Sequence, residues 1–558
     1  MTRLLACLLL ATLPAHAGVQ LWVAGESEKV RPSATLPSDA RTSVRLAAAG
    51  GECAAAQIVV RAAEGIRGFT ASTGPLTSQR GPAVPLELSR VATIVLEKPS
   101  GPEGSTGEWP DALIPVRDAI WGETRHAFPV DVLPQRAQAL FVEACGPRGR
   151  PGRYAGAVHL GWIGEKGVLV RAKVPVELQV RGFDLPATPP LVTAFGFSGW
   201  SAARGHGLGP EAATELTRLY HLMALRRGIT LFGGTQAPPA YTVAGDTVHI
   251  DWTAYDAEVA PFLDGTALPS GARWTATELR EWPKLTRAQR KSWRRAWVEH
   301  FRARGWLDRL FVYVEDEPPP EVFPRVEARA RELREDAPEV RRLVTTSMSA
   351  KLPSIDLWTP PMYCTDPVGV ACPWIVPRAR YDKLWWYQAC MSHGCGPIPP
   401  GGQAAFIGWP SYAIDAPATA ARVMGWLAFA NDISGELYFD VVYEYDHGDP
   451  WQTQWAFYGN GDGTLYYPGT PKRIGGEHHV PIESLRLVQI QRSLQDHAYL
   501  VLCSRLGDPK LAQAEARALA PSLLRWSRDP KAYAAARERL AARIETLSAE
   551  KRAAATQR

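Results

Sequence analysis

Three consecutive carboxylates, Glu315-Asp316-Glu317, stand at the end of the apolar run Leu310–Val314 and in front of Pro318-Pro319-Pro320. Three adjacent acids repel one another, so at least one is expected to keep its proton above the ordinary carboxylate range and to serve as a general acid. The plain alternative is a solvated acidic turn before a helix, whose N-terminus favours negative charge. The strictly apolar strand feeding the acids and the aromatic ends of later apolar runs favour chemistry. Those ends are Tyr363, Trp385-Trp386-Tyr387, Trp409, and Tyr438-Phe439-Asp440, with Trp451 following. Aromatic walls suit stacking on a pyranose ring. Tyr363, Trp386, Tyr387, Trp409, Tyr438, Asp440 and Trp451 are therefore the candidate substrate-binding residues, some of which ordinary core packing would also explain.

Other chemistries find little footing. The chain has no His-Glu-x-x-His, no Gly-x-Ser-x-Gly elbow and no phosphate-binding Gly-rich loop, which removes the zinc peptidase, serine esterase and nucleotide readings. His478-His479 follows Glu477 in a polar loop without spaced partners, and Asn460-Gly461-Asp462-Gly463-Thr464 carries too few carboxylates for a calcium loop. No metal and no cofactor is expected.

The elements that must position the acids change character along the chain. From Gly18 to about Pro186, short alternating runs such as Gln57–Ala62, Leu140–Ala144, Tyr154–Leu160, Gly167–Ala172 and Val174–Val180 are split by Gly and Pro, the pattern of a β-sandwich. After the proline-rich link Phe183–Pro190, strand and helix patterns alternate. Expected strands are Leu191–Phe197, Gly228–Phe232, Leu310–Val314, Leu343–Ser347, Ile355–Trp358, Ala405–Trp409 and Gly435–Val441. Expected helices are Glu211–Arg227, Arg287–Gly305 with Thr286 and Gln289 as a capping box, Pro324–Asp336 and Pro417–Asn431. This alternation predicts a (β/α)8 TIM barrel, with a doubly wound sheet as the structural alternative. Catalytic groups of such a barrel sit at the C-terminal ends of its strands, where the three acids fall. A helical tail closes the chain, with Asp529-Pro530 as cap and first turn. The expected divisions are a signal peptide at 1–17, the sandwich at 18–186, the barrel at 187–506 and a helical extension at 507–558.

Composition agrees with this plan. The 558 residues, 46% hydrophobic and 21% charged, describe a multidomain globular chain, and a net charge of +5 without a basic stripe argues against a nucleic-acid binder. Twenty Trp, 17 Tyr and 47 Pro add aromatic surface and rigid turns. Leu4–Leu13 is apolar and Ala15-His16-Ala17 is a small-x-small site, so a secretory signal cut after Ala17 is expected, with a secreted or periplasmic product. Cleavage leaves seven cysteines: Cys53, Cys145, Cys364, Cys372, Cys390, Cys395 and Cys503. Their spacing lacks a Cys-x-x-Cys knuckle, which favours disulfides over structural zinc and leaves one thiol over, for which Cys503 is the candidate.

Several motifs together resemble glycoside hydrolase family 123 and its wider relatives. They are Tyr313-Val314-Glu315-Asp316-Glu317-Pro318, Gly425-Trp426, Gly435-Glu436-Leu437-Tyr438, and Gly461-Asp462-Gly463-Thr464-Leu465-Tyr466-Tyr467-Pro468-Gly469. Ser484-Leu485-Arg486-Leu487, Arg492 with Asp496-His497-Ala498-Tyr499, and Gly152-Arg153-Tyr154-Ala155-Gly156 complete the set. The resemblance implies a β-sandwich followed by a barrel, and retaining, substrate-assisted hydrolysis of β-linked N-acetylgalactosaminides. Asp316 would orient the acetamido group and Glu317 would be the general acid/base, with Glu315 in support. The final-helix motif of the family reads closer to Arg-Asp-Gly-x-Glu-Asp-Tyr than to Arg492-Ser493-Leu494-Gln495-Asp496-His497, which bears on the sugar rather than on the fold. Two other readings remain open: a non-catalytic carbohydrate-binding envelope protein, and a glycosidase on sugars lacking the acetamido group, with Asp440 or Asp415 as nucleophile. A glycan or glycoconjugate is the expected partner in each.

Overall fold

The computed structural model describes residues 18–79, 81–164, 167–233, 238–281, 284–365, 384–390, 395 and 408–556. The expected signal peptide and Cys372 lie outside them. The chain forms two compact units, one of Met1–Val91, Ile114–Gly182 and Ile474–Gly476, the other of Ala92–Leu113, Phe183–Arg473 and Glu477–Arg558.

The N-terminal region is β-rich. Its strands are β1 (Val19–Gly25), β2 (Val44–Gly50), β3 (Cys53–Ala62), β4 (Ile66–Thr73), β5 (Glu87–Leu96), β6 (Gly107–Pro115), β7 (Val130–Val132), β8 (Ala137–Cys145), β9 (Gly152–Ile163) and β10 (Leu169–Asp184). They make two five-stranded sheets in the orders β1-β3-β8-β5-β6 and β2-β10-β9-β4-β7. Alternation drives the fold. Along β10, Val174, Val176, Leu178 and Val180 point inward and join Val44, Ile58, Phe69, Leu140 and Val158 in one core drawn from both sheets. Cys53 and Cys145 face each other across β3 and β8 and form a disulfide.

The second unit is α/β. Its first strands are β11 (Val192–Gly196), β12 (Leu231–Phe232) and the antiparallel hairpin β13 (Ala240–Ala244) and β14 (Thr247–Asp251). There follow β15 (Thr277–Glu278), β16 (Leu310–Glu315), β17 (Arg341–Val344), β18 (Leu357–Trp358), β19 (Trp385–Tyr387) and β20 (Gly435–Tyr438). Apart from the hairpin these strands pair in parallel, in two four-stranded sheets ordered β12-β11-β20-β19 and β15-β16-β17-β18. Parallel bridges Trp358↔Leu384 and Pro361↔Tyr387 connect the end of β18 to β19. All eight parallel strands border one apolar cluster. It includes Ala194, Phe311, Leu343, Leu357, Trp385, Tyr387 and Leu437, with Ala276 just before β15 and Phe232 packed against it.

Of the expected (β/α)8 barrel, the described residues form eight parallel strands in two sheets, with no ladder between β12 and β15. Between the two sheets, side-chain hydroxyls next to these strands make the hydrogen bonds. The Thr275 N–H donates to Thr230 Oγ1 at 2.8 Å, and the Thr193 N–H to Thr275 Oγ1 at 3.0 Å. The run Ala405–Trp409 supplies no strand at its described end, Gly408-Trp409; the strand that pairs with β20 is Trp385–Tyr387.

The helices follow their sequence signals closely. Thr286 and Gln289 form the reciprocal capping box of the helix Arg287–Ala303, which buries Trp293, Trp297 and Phe301 on one face. In the final helices the family-like motifs form a seam. Gly425 lies so close to helix Leu485–Leu506 that a β-carbon there would stand 2.2 Å from the Ser493 carbonyl oxygen. Asp496, fully buried, accepts from Arg422 at 2.7 Å and from Trp426 Nε1 at 2.9 Å. Removing one partner of such a buried pair typically costs about 3–5 kcal/mol, so these motif positions hold the scaffold. Cys503 is free and buried on this helix.

Candidate active site

Strand β16 is apolar on both sides as far as Val314, as an interior parallel strand must be. Its pairing with β17 then slips. Tyr313 faces Leu343 and Glu315 faces Val344, so Val314 is the extra residue of a β-bulge, and its carbonyl is taken up by the Arg329 guanidinium. Bulges re-aim the side chains that follow them. Here Glu315 turns to Arg325, 3.1 Å away, while Asp316 and Glu317 emerge into the open.

Each of the two acids is fixed by neighbours on other strand ends. Asp316 Oδ1 accepts the Tyr313 hydroxyl at 2.6 Å and the Thr345 hydroxyl at 2.8 Å. Thr345 Oγ1 in turn accepts the Glu317 N–H at 2.8 Å. Glu317 Oε1 accepts the Tyr387 hydroxyl at 2.5 Å. Glu317 adopts φ +40°, a left-handed conformation uncommon for a non-glycine residue, and the Thr345 bond clamps it there. Burial, and then the carboxylates beside them, push the Tyr313 and Tyr387 phenols up, so both remain donors at any working pH. Burial and the charge of Glu317 likewise raise Tyr363, whose ring meets Trp409 edge-on at 6.2 Å.

The candidate residues thus divide into groups. Asp316, Glu317, Tyr363, Tyr387 and Trp409 come together. Trp386 is fully buried on the face of β19 opposite Tyr387. Tyr438 is also fully buried. Its hydroxyl accepts the Gly463 N–H at 2.7 Å and lies 3.1 Å from Asp462 Oδ1. Asp462 accepts the Cys390 N–H at 2.9 Å, and Cys390 is bonded to Cys395. The Gly461–Thr464 motif is therefore a brace beneath the loop that follows β19. Asp440, pushed up to about 7 by burial, accepts the Val442 N–H at 2.8 Å. Trp451 donates to the Pro468 carbonyl at 3.0 Å and lines a separate cavity of about 1040 Å³. Asp415 is buried and bound to Ser100 and Asn460.

Sequence reasoning missed Thr345. The strand end Leu343–Ser347 was expected, but nothing in a lone threonine distinguishes it before the fold sets it between two acids. Tyr313 was visible only as part of a motif, although its place two residues after Phe311 puts both on the same face of the strand.

Comparison with known proteins follows this geometry. The family model described as Glycoside hydrolase 123, catalytic domain, matches residues 286–503. No curated protein matches the chain in sequence. Among solved structures, a family 123 glycoside hydrolase from Clostridium perfringens, described for glycolipid glycan hydrolysis, superposes with a TM-score of 0.65 at 11% identity. The match covers 95% of this chain and 99% of that one. A xyloglucanase of family 5 from Bacteroides ovatus reaches a TM-score of only 0.26 at 11% identity, over 85% of this chain and 100% of that one. The stretch that matches the family 123 catalytic-domain model, residues 286–503, contains Asp316 and Glu317.

Proposed function

We propose that the protein is a retaining glycosidase that removes β-linked N-acetylhexosamine, of the N-acetylgalactosamine type, with the substrate's own acetamido group as nucleophile. The observation that carries this reading is the adjacency of two anchored acids on one strand end. Asp316 is held by Tyr313 and Thr345, and Glu317 by Tyr387. Neighbouring residues of one strand are ill placed to flank a sugar ring from opposite faces, as an acid and a protein nucleophile must. They are well placed to serve two adjacent groups on one edge of an N-acetyl sugar, the glycosidic oxygen on C1 and the acetamido group on C2.

In the first step the acetamido oxygen attacks the anomeric carbon while the bond to the leaving oxygen breaks and Glu317 gives that oxygen its proton. Asp316 receives the acetamido N–H and offsets the positive charge of the oxazolinium that forms. In the second step Glu317 takes a proton from water, whose oxygen attacks the anomeric carbon and reopens the ring. Configuration is retained after two inversions.

The eight parallel strands, which share one core and are bridged between β18 and β19, support their reading as a barrel whose remaining seam runs between β12 and β15. Disulfides suit an oxidising compartment, and we read the protein as exported with cleavage after Ala17. The test of the reaction is a panel of aryl β-glycosides of GalNAc, GlcNAc, galactose and glucose, with GalNAc-thiazoline as inhibitor. Turnover restricted to the acetamido sugars, with thiazoline inhibition, is expected. Comparable turnover of galactoside and N-acetylgalactosaminide without thiazoline inhibition would refute the mechanism.

A further inference from the structure

Strands β21 (Trp455–Ala456) and β22 (Gly459–Asn460) form a hairpin whose two-residue turn is Phe457-Tyr458. Both turn residues have left-handed backbones, with φ +50° and φ +66°. A turn of this kind is normally built from Asn-Gly or similar residues, because a β-carbon is crowded there. Two consecutive bulky aromatics are the opposite choice. Phe457 has an evident use, since its ring packs on Phe439 at 5.6 Å and on Tyr443 at 5.0 Å. Tyr458 has none inside the fold. It is 66% exposed, more than any other large apolar or aromatic side chain among the described residues.

The base of this hairpin is fastened down. The Asn460 N–H donates to Ser100 Oγ at 2.8 Å, and its side-chain amide to the Lys98 carbonyl at 2.8 Å. The Asn460 carbonyl accepts the Ile414 N–H at 2.8 Å, and the Gln454 carbonyl accepts the Gly461 N–H at 2.6 Å. Gly459 lies against the Cys390–Cys395 disulfide, where a β-carbon would stand 2.3 Å from Cys390 Sγ. Cys390 is three residues beyond Tyr387, the residue that holds Glu317. On its other side the hairpin meets Tyr443, whose ring stacks on His447 at 4.3 Å, and His447 lines the 1040 Å³ cavity together with Trp451 and Arg473. A rigid base, packed on one side against the segment that follows β19 and on the other against Tyr443, therefore carries an exposed, strained tyrosine.

We propose that Tyr458 is an aromatic platform for a pyranose ring of the leaving glycan, outside the sugar being cleaved. This deepens the reading given above and rests on it for the position of the cleaved sugar. Strain in a backbone persists where a function needs the side chain it displays. An exposed aromatic ring, on a hairpin that packs through Tyr443 against His447 in the wall of a cavity also lined by Trp451, suits the apolar face of a neutral sugar.

The test measures binding of two probes by titration calorimetry, with Glu317→Gln added to each protein compared so that the tetrasaccharide is not consumed: a tetrasaccharide ending in β-linked N-acetylgalactosamine, and free N-acetylgalactosamine. Tyr458→Asn removes the ring while accepting the left-handed turn, and Tyr458→Trp keeps a platform. The wild type should bind the tetrasaccharide more tightly than the monosaccharide. Tyr458→Asn should weaken the tetrasaccharide about tenfold and leave the monosaccharide unchanged, whereas Tyr458→Trp should match the wild type. The melting temperature of Tyr458→Asn should rise by about 1–2 °C as strain is relieved. Undiminished tetrasaccharide binding by Tyr458→Asn, equal weakening of both probes, or a lower melting temperature would overturn the proposal. A wild type that binds as expected yet hydrolyses nothing would sink the reaction proposed above while the platform stands.

Discussion

Thr345 is the residue on which the geometry of both acids depends, and its removal gives a sharp prediction. Thr345→Val keeps the shape of the side chain and deletes one hydroxyl. That hydroxyl donates to Asp316 Oδ1 at 2.8 Å and accepts the Glu317 N–H at 2.8 Å. A hydrogen bond to a charged group contributes about 1.5–3 kcal/mol, and Asp316 still keeps its bond from Tyr313. Glu317 loses the clamp on its φ of +40°, a conformation that costs on the order of 1–3 kcal/mol and relaxes once nothing holds it. Relaxation would carry the Glu317 carboxyl out of reach of the leaving oxygen. Together these losses amount to roughly 3 kcal/mol in the transition state, or a fall of about 10²-fold in kcat. The assay is steady-state hydrolysis of an aryl β-N-acetylgalactosaminide, with kcat and KM resolved. KM should move little, because the ground-state contacts of the sugar are untouched. The melting temperature should fall by no more than about 2 °C, since relief of strain offsets part of the lost bonding. Thr345→Ser, which restores the hydroxyl, should recover activity to within about threefold. A Val variant as active as the wild type, or a Ser variant as poor as Val, would refute the positioning role.

Three further outcomes are expected. Glu317→Gln should lose about 10²–10⁴-fold in rate on substrates with poor leaving groups while an activated aryl glycoside is partly spared, and equal losses on both would indicate positioning rather than proton transfer. Asp316→Asn should lower kcat with little change in KM and weaken GalNAc-thiazoline, whereas Glu315→Gln, which only frees Arg325, should stay near wild type; the reverse ranking would mean the roles are assigned to the wrong acids. Glu436 is buried on β20, bonded to Tyr412 at 2.6 Å, and pushed by burial from 4.5 up to about 7. Its proton is thus retained on folding, and the wild type loses stability as pH rises from about 4.5 through 7. Glu436→Gln, a permanent neutral mimic, should gain on the wild type across that window by on the order of 3 kcal/mol, measured by denaturant titration at pH 4.5 and 8; a difference independent of pH would contradict the buried neutral acid.

The sequence displays those features that repeat or that cost something locally. Leu310–Val314 was legible as an interior strand because five apolar residues in a row suit nothing else between a helix and an acidic turn. The Thr286–Gln289 box marked its helix to within a residue because capping chemistry is local. Strand β15 left no such mark, since two residues cannot show a period, and β19 showed only as the aromatic run Trp385-Trp386-Tyr387, without the length of a strand. Trp386 and Tyr387 were both chosen for the site, although adjacent strand residues face opposite ways and only one could reach it. Asp415, weighed as a nucleophile, turns out to cap Ser100, more than three hundred residues away in sequence, a contact that no local pattern announces. The Phe457-Tyr458 turn was invisible for the opposite reason, since its residues contradict the ordinary turn code.

The surrounding carboxylates bear on which nucleophile the reaction uses. An enzyme with a protein nucleophile needs a second, ionised acid across the ring from the first. Asp440 is raised by burial to about 7 and already accepts a backbone N–H, so it is half neutral at neutral pH and a weak nucleophile. Asp462, raised likewise to about 7, is spent on the Cys390 N–H and bonded to Tyr438. Asp415 is enclosed by Ser100 and Asn460, and Glu436 by Tyr412. Asp316 differs from all of these. One of its oxygens is locked by two hydroxyls, while Oδ2 has no protein hydrogen bond among the described residues and the side chain is open to solvent. A carboxylate oriented in this way, adjacent to an acid with its own phenolic anchor, suits receiving an N–H and a developing positive charge better than attacking carbon. Under the proposed mechanism the nucleophile is the acetamido oxygen that an N-acetyl sugar brings with it, and the bulge at Val314 is what turns Asp316 and Glu317 outward to meet such a substrate.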